Sequence, residues 1–272
     1  MTQTILITGA SSGIGKVTAH YFQAQGWNVI ATMRSPEKEQ ELNQMERVMV
    51  TRLDVTDSAS IASAVNQGIE RFGQIDVLLN NAGYGAFGPL ESFPMDKLRR
   101  QFDTNVIGLL ETTKAVLPHM RNRRAGTIVN ISSIGGRMTF PLGSLYHSTK
   151  FAVEGITEAL QYELGPIGIK VKIVEPGAIA TDFAGRSFDF HNDESLIEYQ
   201  TLANSLMAGF ESILSQASPA ELVAEVIWEA VTDGSDTLRY TAGEDAKELM
   251  ANRKSLDDAA MFGAVKSQFN LQ

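Results

Sequence analysis

Short β-branched runs alternate with longer helix-patterned stretches along most of this chain, and that alternation restricts the fold more than any other feature. The runs fall at residues 4–8, 28–32, 48–53, 75–80, 127–131, 170–175 and 237–241. Several are apolar on both faces, as strands buried within a parallel sheet are. Between them, Ile14, Val17, Tyr21 and Ala24 share one helical face. A second amphipathic stretch carries Phe102, Val106, Leu109, Leu110, Ala115 and Leu117, and a third carries Phe151, Ile156, Leu160 and Leu164. Ser218-Pro219-Ala220-Glu221 reads as a capping box with proline at the first helical position, opening a helix through Val223, Val226, Ile227 and Val231. Parallel neighbours need long crossovers, so the alternation predicts an α/β fold: a doubly wound parallel sheet of about seven strands with helices on both faces. Such sheets bind ligands beyond the carboxyl ends of their strands. Residues 178–216 do not fit the alternation. They follow the sixth run and are rich in Phe, Leu, Ile and Met, which predicts a segment overhanging the ligand crevice.

The first run ends in Thr8-Gly9-Ala10-Ser11-Ser12-Gly13-Ile14-Gly15, and a helical stretch follows at once. Gly9 permits a tight turn, Gly13 lets backbone approach a pyrophosphate, and Gly15 lets helix and strand pack closely. The N–H groups of the first turn and the helix dipole then face the anion. The spacing G-x-x-x-G-x-G differs from the commoner dinucleotide fingerprint, but it makes the sheet a Rossmann-type one. The end of the second run selects the cofactor. An acidic residue there reads a ribose 2'-hydroxyl, and an arginine accommodates a 2'-phosphate. Here Met33 takes the acidic position and Arg34 follows, which favours NADP(H) and leaves NAD(H) possible.

Tyr146 and Lys150 lie four apart in a helical stretch, so phenol and ammonium share a face. A free tyrosine is a poor base near neutrality. One positive charge at ~5 Å and an effective dielectric of ~20 favours the phenolate by about 3 kcal/mol, roughly two pKa units. The nicotinium ring of an oxidised cofactor would add to this, bringing Tyr146 toward the pH at which a general acid/base works best. Ser132 and Ser133 end the fifth run, where a hydroxyl can hold a substrate oxygen against the phenol.

Bulk properties narrow the partners. The 272 residues carry a formal net charge of -9, so the overall field attracts neither nucleic acid nor an anionic membrane. Arg121, Arg123 and Arg124 form the one tight basic cluster and read as the solvated end of a helix. No cysteine is present, which excludes disulfides, thiolate nucleophiles and cysteine metal sites. His20, His119, His147 and His191 lack metal-ligand spacing, so no metal is expected. His147 abuts Tyr146 and reads as structural. Met1 leads straight into a strand pattern, and no stretch approaches the roughly 18 apolar residues of a membrane helix. A cytoplasmic protein with no membrane insertion is expected. No linker or repeat divides the chain, so residues 1–272 read as one dinucleotide-binding catalytic domain with a substrate lid at about 178–216.

Taken in order, Thr8-Gly9-x-x-x-Gly13-Ile14-Gly15, Leu53-Asp54-Val55-Thr56, Asn80-Asn81-Ala82-Gly83, Asn105, Ser133, Tyr146-x-x-x-Lys150 and Pro176-Gly177 resemble the short-chain dehydrogenase/reductase family. The likeness covers roughly residues 4–246, and residues 146–163 with 31–34 look like its hydroxysteroid and retinol dehydrogenase branch. The resemblance implies that Tyr146 exchanges the proton and that Ser133, rather than Ser132, orients the carbonyl. Lys150 would also hold the nicotinamide ribose, and Asn105 would support a water linking Lys150 to solvent. It further implies dinucleotide contacts from Gly9, Ser11, Ser12, Gly13, Ile14 and Gly15 in the loop. Asp54 and Val55 would flank the adenine, and Asn81, Ala82 and Gly83 would line the groove. Thr181, after Pro176-Gly177, would meet the nicotinamide amide. Asn80 is as well suited to bracing the central strands as to touching ligand. Two positions depart from the family's habit: Thr149 replaces a frequent serine, and Ser12 stands where many NADP users carry a basic residue.

The function expected is hydride transfer between nicotinamide and the carbonyl/alcohol group of a small apolar substrate, with Tyr146 as general acid/base. Tyr84, Phe87, Phe140, Leu142, Phe183 and Phe210 are the expected substrate walls. One alternative is a reductase of carrier-bound 3-oxoacyl chains, docked through the arginine cluster. Another is a catalytically silent nucleotide sensor, although such a protein could dispense with the Tyr, Lys and Ser retained here. Relatives pair through the helices that Phe102 and Phe151 mark, which implies a homodimer or homotetramer. The same apolar faces could equally be core.

Overall fold

The structure is a computed structural model and describes residues 2–181 and 187–271. Seven strands form one fully parallel sheet: β1 (Thr4–Ile7), β2 (Asn28–Met33), β3 (Val48–Arg52), β4 (Val77–Asn80), β6 (Gly126–Ile131), β7 (Ile169–Pro176) and β11 (Arg239–Ala242). Their order across the sheet is β11-β7-β6-β4-β1-β2-β3, so the strand order reverses beside β1. Short strands lie outside it. β5 (Gly85–Phe87) pairs with β9 (Phe188–Phe190), and β8 (Ile179–Ala180) pairs with β10 (Ser218–Pro219).

The two-residue period of β1 divides the core. Ile5 and Ile7 face one layer, where Ala19 and Phe22 of α1 (Gly13–Ala24) meet Val223 and Ile227 of a later helix, Ala220–Thr232. Leu6 faces the other, with Ile61 and Val65 of α2 (Ser58–Phe72) and residues of two further helices. Asp57 caps α2 by accepting from the Ala59 and Ser60 N–H groups, and left-handed Gly73 ends it. The amphipathic stretch through Phe102 and Leu117 is α3 (Met95–Phe102), a π-helical turn (Asp103–Ile107) and α4 (Gly108–Arg123) in succession. The widened turn holds Asn105, and such turns concentrate at functional sites. The remaining helices are α5 (Ser144–Leu164), α6 (Gln200–Leu214), α7 (Ala220–Thr232), α8 (Glu244–Ser255) and α9 (Asp258–Gln268). None of the described helices is long and apolar enough to cross a membrane.

Three local expectations are corrected. The capping box at Ser218 does not form: Ser218 donates its N–H to the Ala178 carbonyl within the β8–β10 pair, and α7 starts one residue later than expected, at Ala220, with Pro219 as an N-cap that offers no side-chain bond. The last strand begins at Arg239 rather than 237. The Ser235 and Thr237 carbonyls instead accept from the Lys172 ammonium at 2.7 and 2.8 Å, which draws that segment toward β7. Arg123 and Arg124 are not simply solvated. Arg123 bonds Asp76 at 2.7 Å and the Ile75 carbonyl at 3.0 Å, and Arg124 reaches the Pro166 carbonyl at 3.0 Å.

Candidate active site

A crevice of about 1820 Å³ opens at the carboxyl ends of β1, β4, β6 and β7. Its floor at one end is the glycine loop. Gly9 and Gly13 have φ of +71° and +53°, a region L side chains rarely adopt, and a Cβ on Gly15 would collide with the Gly9 carbonyl oxygen. Asn81 ties the loop down, with Nδ2 donating to the Thr8 and Gly9 carbonyls at 2.9 and 3.1 Å. Thr8 Oγ1 accepts from the Asn81 and Ala82 N–H groups, both at 3.0 Å. Above this loop, α1 opens without a side-chain cap and without an acidic residue in its first turn. An uncapped, uncompensated helix start facing a glycine cradle suits a pyrophosphate.

The cofactor positions expected from the sequence line one wall. Gly9, Ser11, Ser12, Gly13, Ile14, Arg34, Asp54, Val55, Asn81, Ala82, Gly83, Pro176, Gly177 and Thr181 all border the crevice. Gly15 does not, as fits a residue whose task is close packing. Met33 is buried at the end of β2, while Arg34 is exposed, with no side-chain hydrogen bond or ion pair among the described residues. The Asp54 carboxylate is occupied by Thr56, which donates from N and Oγ1 at 3.0 and 2.8 Å. A Cβ built on Gly13 would lie 3.4 Å from the Thr181 Cβ, so Thr181 closes over the loop. Asn80 is structural, bonding Thr113 and Asn130 within the sheet.

Ser133, Tyr146 and Lys150 meet where the groove passes the end of β6. Ser133 caps a short turn by accepting from the Gly135 N–H at 3.0 Å, and it hydrogen-bonds the Tyr146 phenol. The Lys150 ammonium donates to the Ile131 carbonyl at 2.9 Å and lies 5.8 Å from the centre of the Tyr146 ring. Asn105 stands behind the wall rather than on it. Its Oδ1 accepts from the Tyr84 N–H at 3.1 Å, and its Nδ2 donates to the Tyr84 carbonyl at 2.8 Å and Thr149 Oγ1 at 3.1 Å.

Burial reverses one electrostatic expectation. It pushes the Tyr146 phenol above the ordinary tyrosine range, opposed by the Ser133 hydrogen bond, and it pushes Lys150 down to about 8, opposed by the Glu154 carboxylate. The lysine ammonium lies 5.8 Å from the ring centre, and in the chain alone desolvation is the larger influence on the phenol.

His147 is 2% exposed and ties down both ends of residues 135–140, which lead up to the tyrosine. Its Nδ1 bonds the Gly135 carbonyl at 2.9 Å, and Nε2 accepts from the Phe140 N–H at 3.0 Å. That pairing requires a neutral ring with the proton on Nδ1, and burial depresses its pKa to about 4.

Beyond the phenol the crevice turns aromatic. Phe87 packs 5.3 Å from Tyr146, 5.2 Å from Phe188 and 5.3 Å from Phe210, and Phe140 also lines the space. Tyr84 borders it too, with Arg100 stacked 5.3 Å from its ring centre. Leu142 does not. Its backbone is left-handed, at φ +54°, its carbonyl accepts from the Gly88 N–H, and its side chain packs into the cluster behind Phe140. Phe183 lies outside the described residues.

The far wall was not foreseen. Leu249, Gln268 and Phe269 come from the last two helices and the turn after them. Phe269 is 2% exposed, and its ring fills the space over Gly209 of α6, where a Cβ would lie 2.6 Å from its Cε1. Met261, Val265 and Phe269 recur at a spacing of four, a signal present in the sequence, but nothing local ties that face to a crevice some hundred residues earlier.

A family model described as short chain dehydrogenase matches residues 3–192. An uncharacterized oxidoreductase of Schizosaccharomyces pombe is 46% identical over 244 residues, covering 88% of this chain and all of that one. The 17-beta-hydroxysteroid dehydrogenase type 1 of Mus musculus is 33% identical over 250 residues, covering 87% and 72%. Among solved structures, a short-chain dehydrogenase from Streptomyces avermitilis superposes with TM-score 0.84 at 34% identity, covering 98% of this chain and 97% of that one. ElxO with NADP bound superposes with TM-score 0.73 at 31% identity, covering 89% and 98%. With the glycine cradle and the serine, tyrosine and lysine brought to one strand end, these matches make the chain an oxidoreductase of the short-chain dehydrogenase family.

Proposed function

We propose that this protein reduces the carbonyl group of an apolar substrate, or oxidises the corresponding alcohol, with a preference for NADP(H). The carrying observation is that the Tyr146 phenol lies at the junction of the glycine-floored groove and the aromatic chamber, hydrogen-bonded to Ser133 and backed by Lys150. The backbone of residues 9–14 and the start of α1 hold the pyrophosphate, Arg34 the 2'-phosphate, and Asp54 and Val55 the adenine. Asn81, Ala82 and Gly83 line the groove; Lys150 holds the ribose; Pro176, Gly177 and Thr181 hold the nicotinamide amide. A neighbour described with NADP bound supports that cofactor class. The bound nicotinamide supplies or takes up the hydride.

Ser133 fixes the substrate oxygen, and Tyr146 gives it a proton. The same phenol takes the proton back when the alcohol is oxidised. Asn105 bonds Tyr84 and Thr149, and so holds Thr149, one residue before Lys150, in place. Residues 178–216 act as a lid whose Phe188 and Phe210 close the chamber and exclude water. Chain pairing into a homodimer or homotetramer uses the exposed Ile107 and Phe151.

Tyr146→Phe tests the reading. Turnover of any accepted ketone should fall by at least about a thousandfold, while dinucleotide binding, followed by fluorescence, persists. A variant that keeps most of its activity removes Tyr146 from the mechanism.

A further inference from the structure

A carboxylate stands behind the turn that follows β7, and the chemistry described so far makes no use of it. Asp245 belongs to the first turn of α8 and borders the crevice beside Pro176, Gly177 and Ala178. It makes no side-chain bond within its own helix. Its Oδ2 instead accepts from the Ala178 N–H at 2.8 Å, 67 residues back along the chain. Two backbone bonds hold the same turn. Gly177 donates to the Ala242 carbonyl at 3.0 Å, and the Ala178 carbonyl accepts from the Ser218 N–H at 2.9 Å. From there β8 pairs with β10 and leads on to Thr181, which closes over the glycine loop.

Two glycines make room for this carboxylate. A Cβ on Gly177 would collide with both of its oxygens, and a Cβ on Gly243, where φ is +115°, would collide with Oδ1. Oδ1 is itself buried and has no hydrogen-bond partner among the described residues. A carboxylate at the start of a surface helix ordinarily keeps both oxygens in water. Here one oxygen is left unsatisfied so that the other can reach a backbone N–H in the crevice wall. Burying an acceptor without a partner costs free energy, so the arrangement needs a reason beyond the folding of α8.

We propose that Asp245 is a positioning residue: its carboxylate fixes the turn at Gly177 and Ala178, and so sets the place of the nicotinamide without acting on the adenosine half of the cofactor. The proposal rests on the reading that Pro176, Gly177 and Thr181 hold the nicotinamide amide. Removing the carboxylate frees the Ala178 N–H and opens a void behind Gly177, while the glycine loop keeps its own bonds to Asn81.

Calorimetric titration with NADPH and with 2',5'-ADP, which carries the adenosine half and no nicotinamide, separates the two ends of the groove. Asp245→Ala should weaken NADPH binding by at least about tenfold, the loss of one charge-assisted hydrogen bond, and leave 2',5'-ADP binding nearly unchanged. Asp245→Asn, which keeps an acceptor for the Ala178 N–H, should restore most of the NADPH affinity. Asp245→Ser, whose oxygen is one bond shorter, carries the same comparison if the alanine variant does not fold. NADPH affinity equal to wild type in whichever of these two variants folds, or an equal loss of both ligands, overturns the proposal. A wild-type protein that binds 2',5'-ADP as tightly as NADPH refutes the placement of the nicotinamide at this turn, and the proposal with it. A selective loss of NADPH affinity in a protein that reduces no carbonyl upholds the role of Asp245 and refutes the function proposed above.

Discussion

Acid should weaken this fold through His147, by an amount that can be worked from its surroundings. The ring is 2% exposed and neutral, and its folded-state pKa is about 4 against an ordinary 6.5. Above pH 6.5 neither the folded nor the unfolded chain protonates it, and it contributes no pH dependence. Between 6.5 and 4 the unfolded chain binds the proton and the folded chain does not, so stability falls as pH falls. At 1.36 kcal/mol per unit this amounts to about 3 kcal/mol over the whole window and about 2 kcal/mol by pH 5. His147→Gln removes the titration. It should cost about 2 kcal/mol at neutral pH, because the Gly135 carbonyl and the Phe140 N–H cannot both keep a partner. Urea unfolding at pH 7.5, 6 and 5, followed through Trp27 and Trp228 in the core, measures both. The gap between wild type and variant should close by about 2 kcal/mol at pH 5, since only the wild type pays the proton's toll. Parallel pH dependence in the two proteins would refute the neutral, doubly bonded imidazole.

Two further outcomes are expected. Arg34→Ala should weaken NADPH binding by about ten- to a hundredfold and leave NADH nearly unchanged, since one charge-assisted hydrogen bond contributes about 1.5 to 3 kcal/mol; equal wild-type affinity for the two dinucleotides would reduce Arg34 to a surface cation. Catalytic efficiency should rise with the apolar size of the ketone, and Phe210→Ala, which removes a ring touching Phe87 and Phe188, should flatten that rise; a flat dependence in the wild type removes the case for an apolar lid.

The parts of the site that could be read from the sequence are those whose partners lie close along the chain. Gly9, Gly13 and Gly15 sit within one loop, and Tyr146 and Lys150 within one helical turn, so spacing alone conveys their geometry. Asp245 and Ala178 are 67 residues apart, and no period or motif joins them. The same holds for Lys172, which is buried because it supplies hydrogen bonds to a loop more than sixty residues later. The rise of the Tyr146 pKa in the chain alone was not legible for a related reason. Spacing places a charge near a phenol, but the depth at which both are buried is a property of the whole packed body. Ser218 illustrates a different failure: its local sequence is a sound helix start, and a pairing with residues 179–180 overrides it.

The match to the family model ends at residue 192, whereas Leu249 and Phe269 form the far wall of the aromatic chamber. Phe87, Phe140 and Phe188 lie inside that match, but the far wall of the chamber is written in a stretch of chain separate from the reaction chemistry. Mutational drift in the last two helices can enlarge, narrow or reshape the chamber while every group at the end of β6 stays where it is. The notch at Gly209 is the constraint on that freedom: Phe269 seats there, so a change of tail must either keep a ring at that point or alter the helix that receives it. A lineage carrying this fold can thus diversify what it accepts by trading one tail for another, with the hydride-transfer apparatus inherited intact.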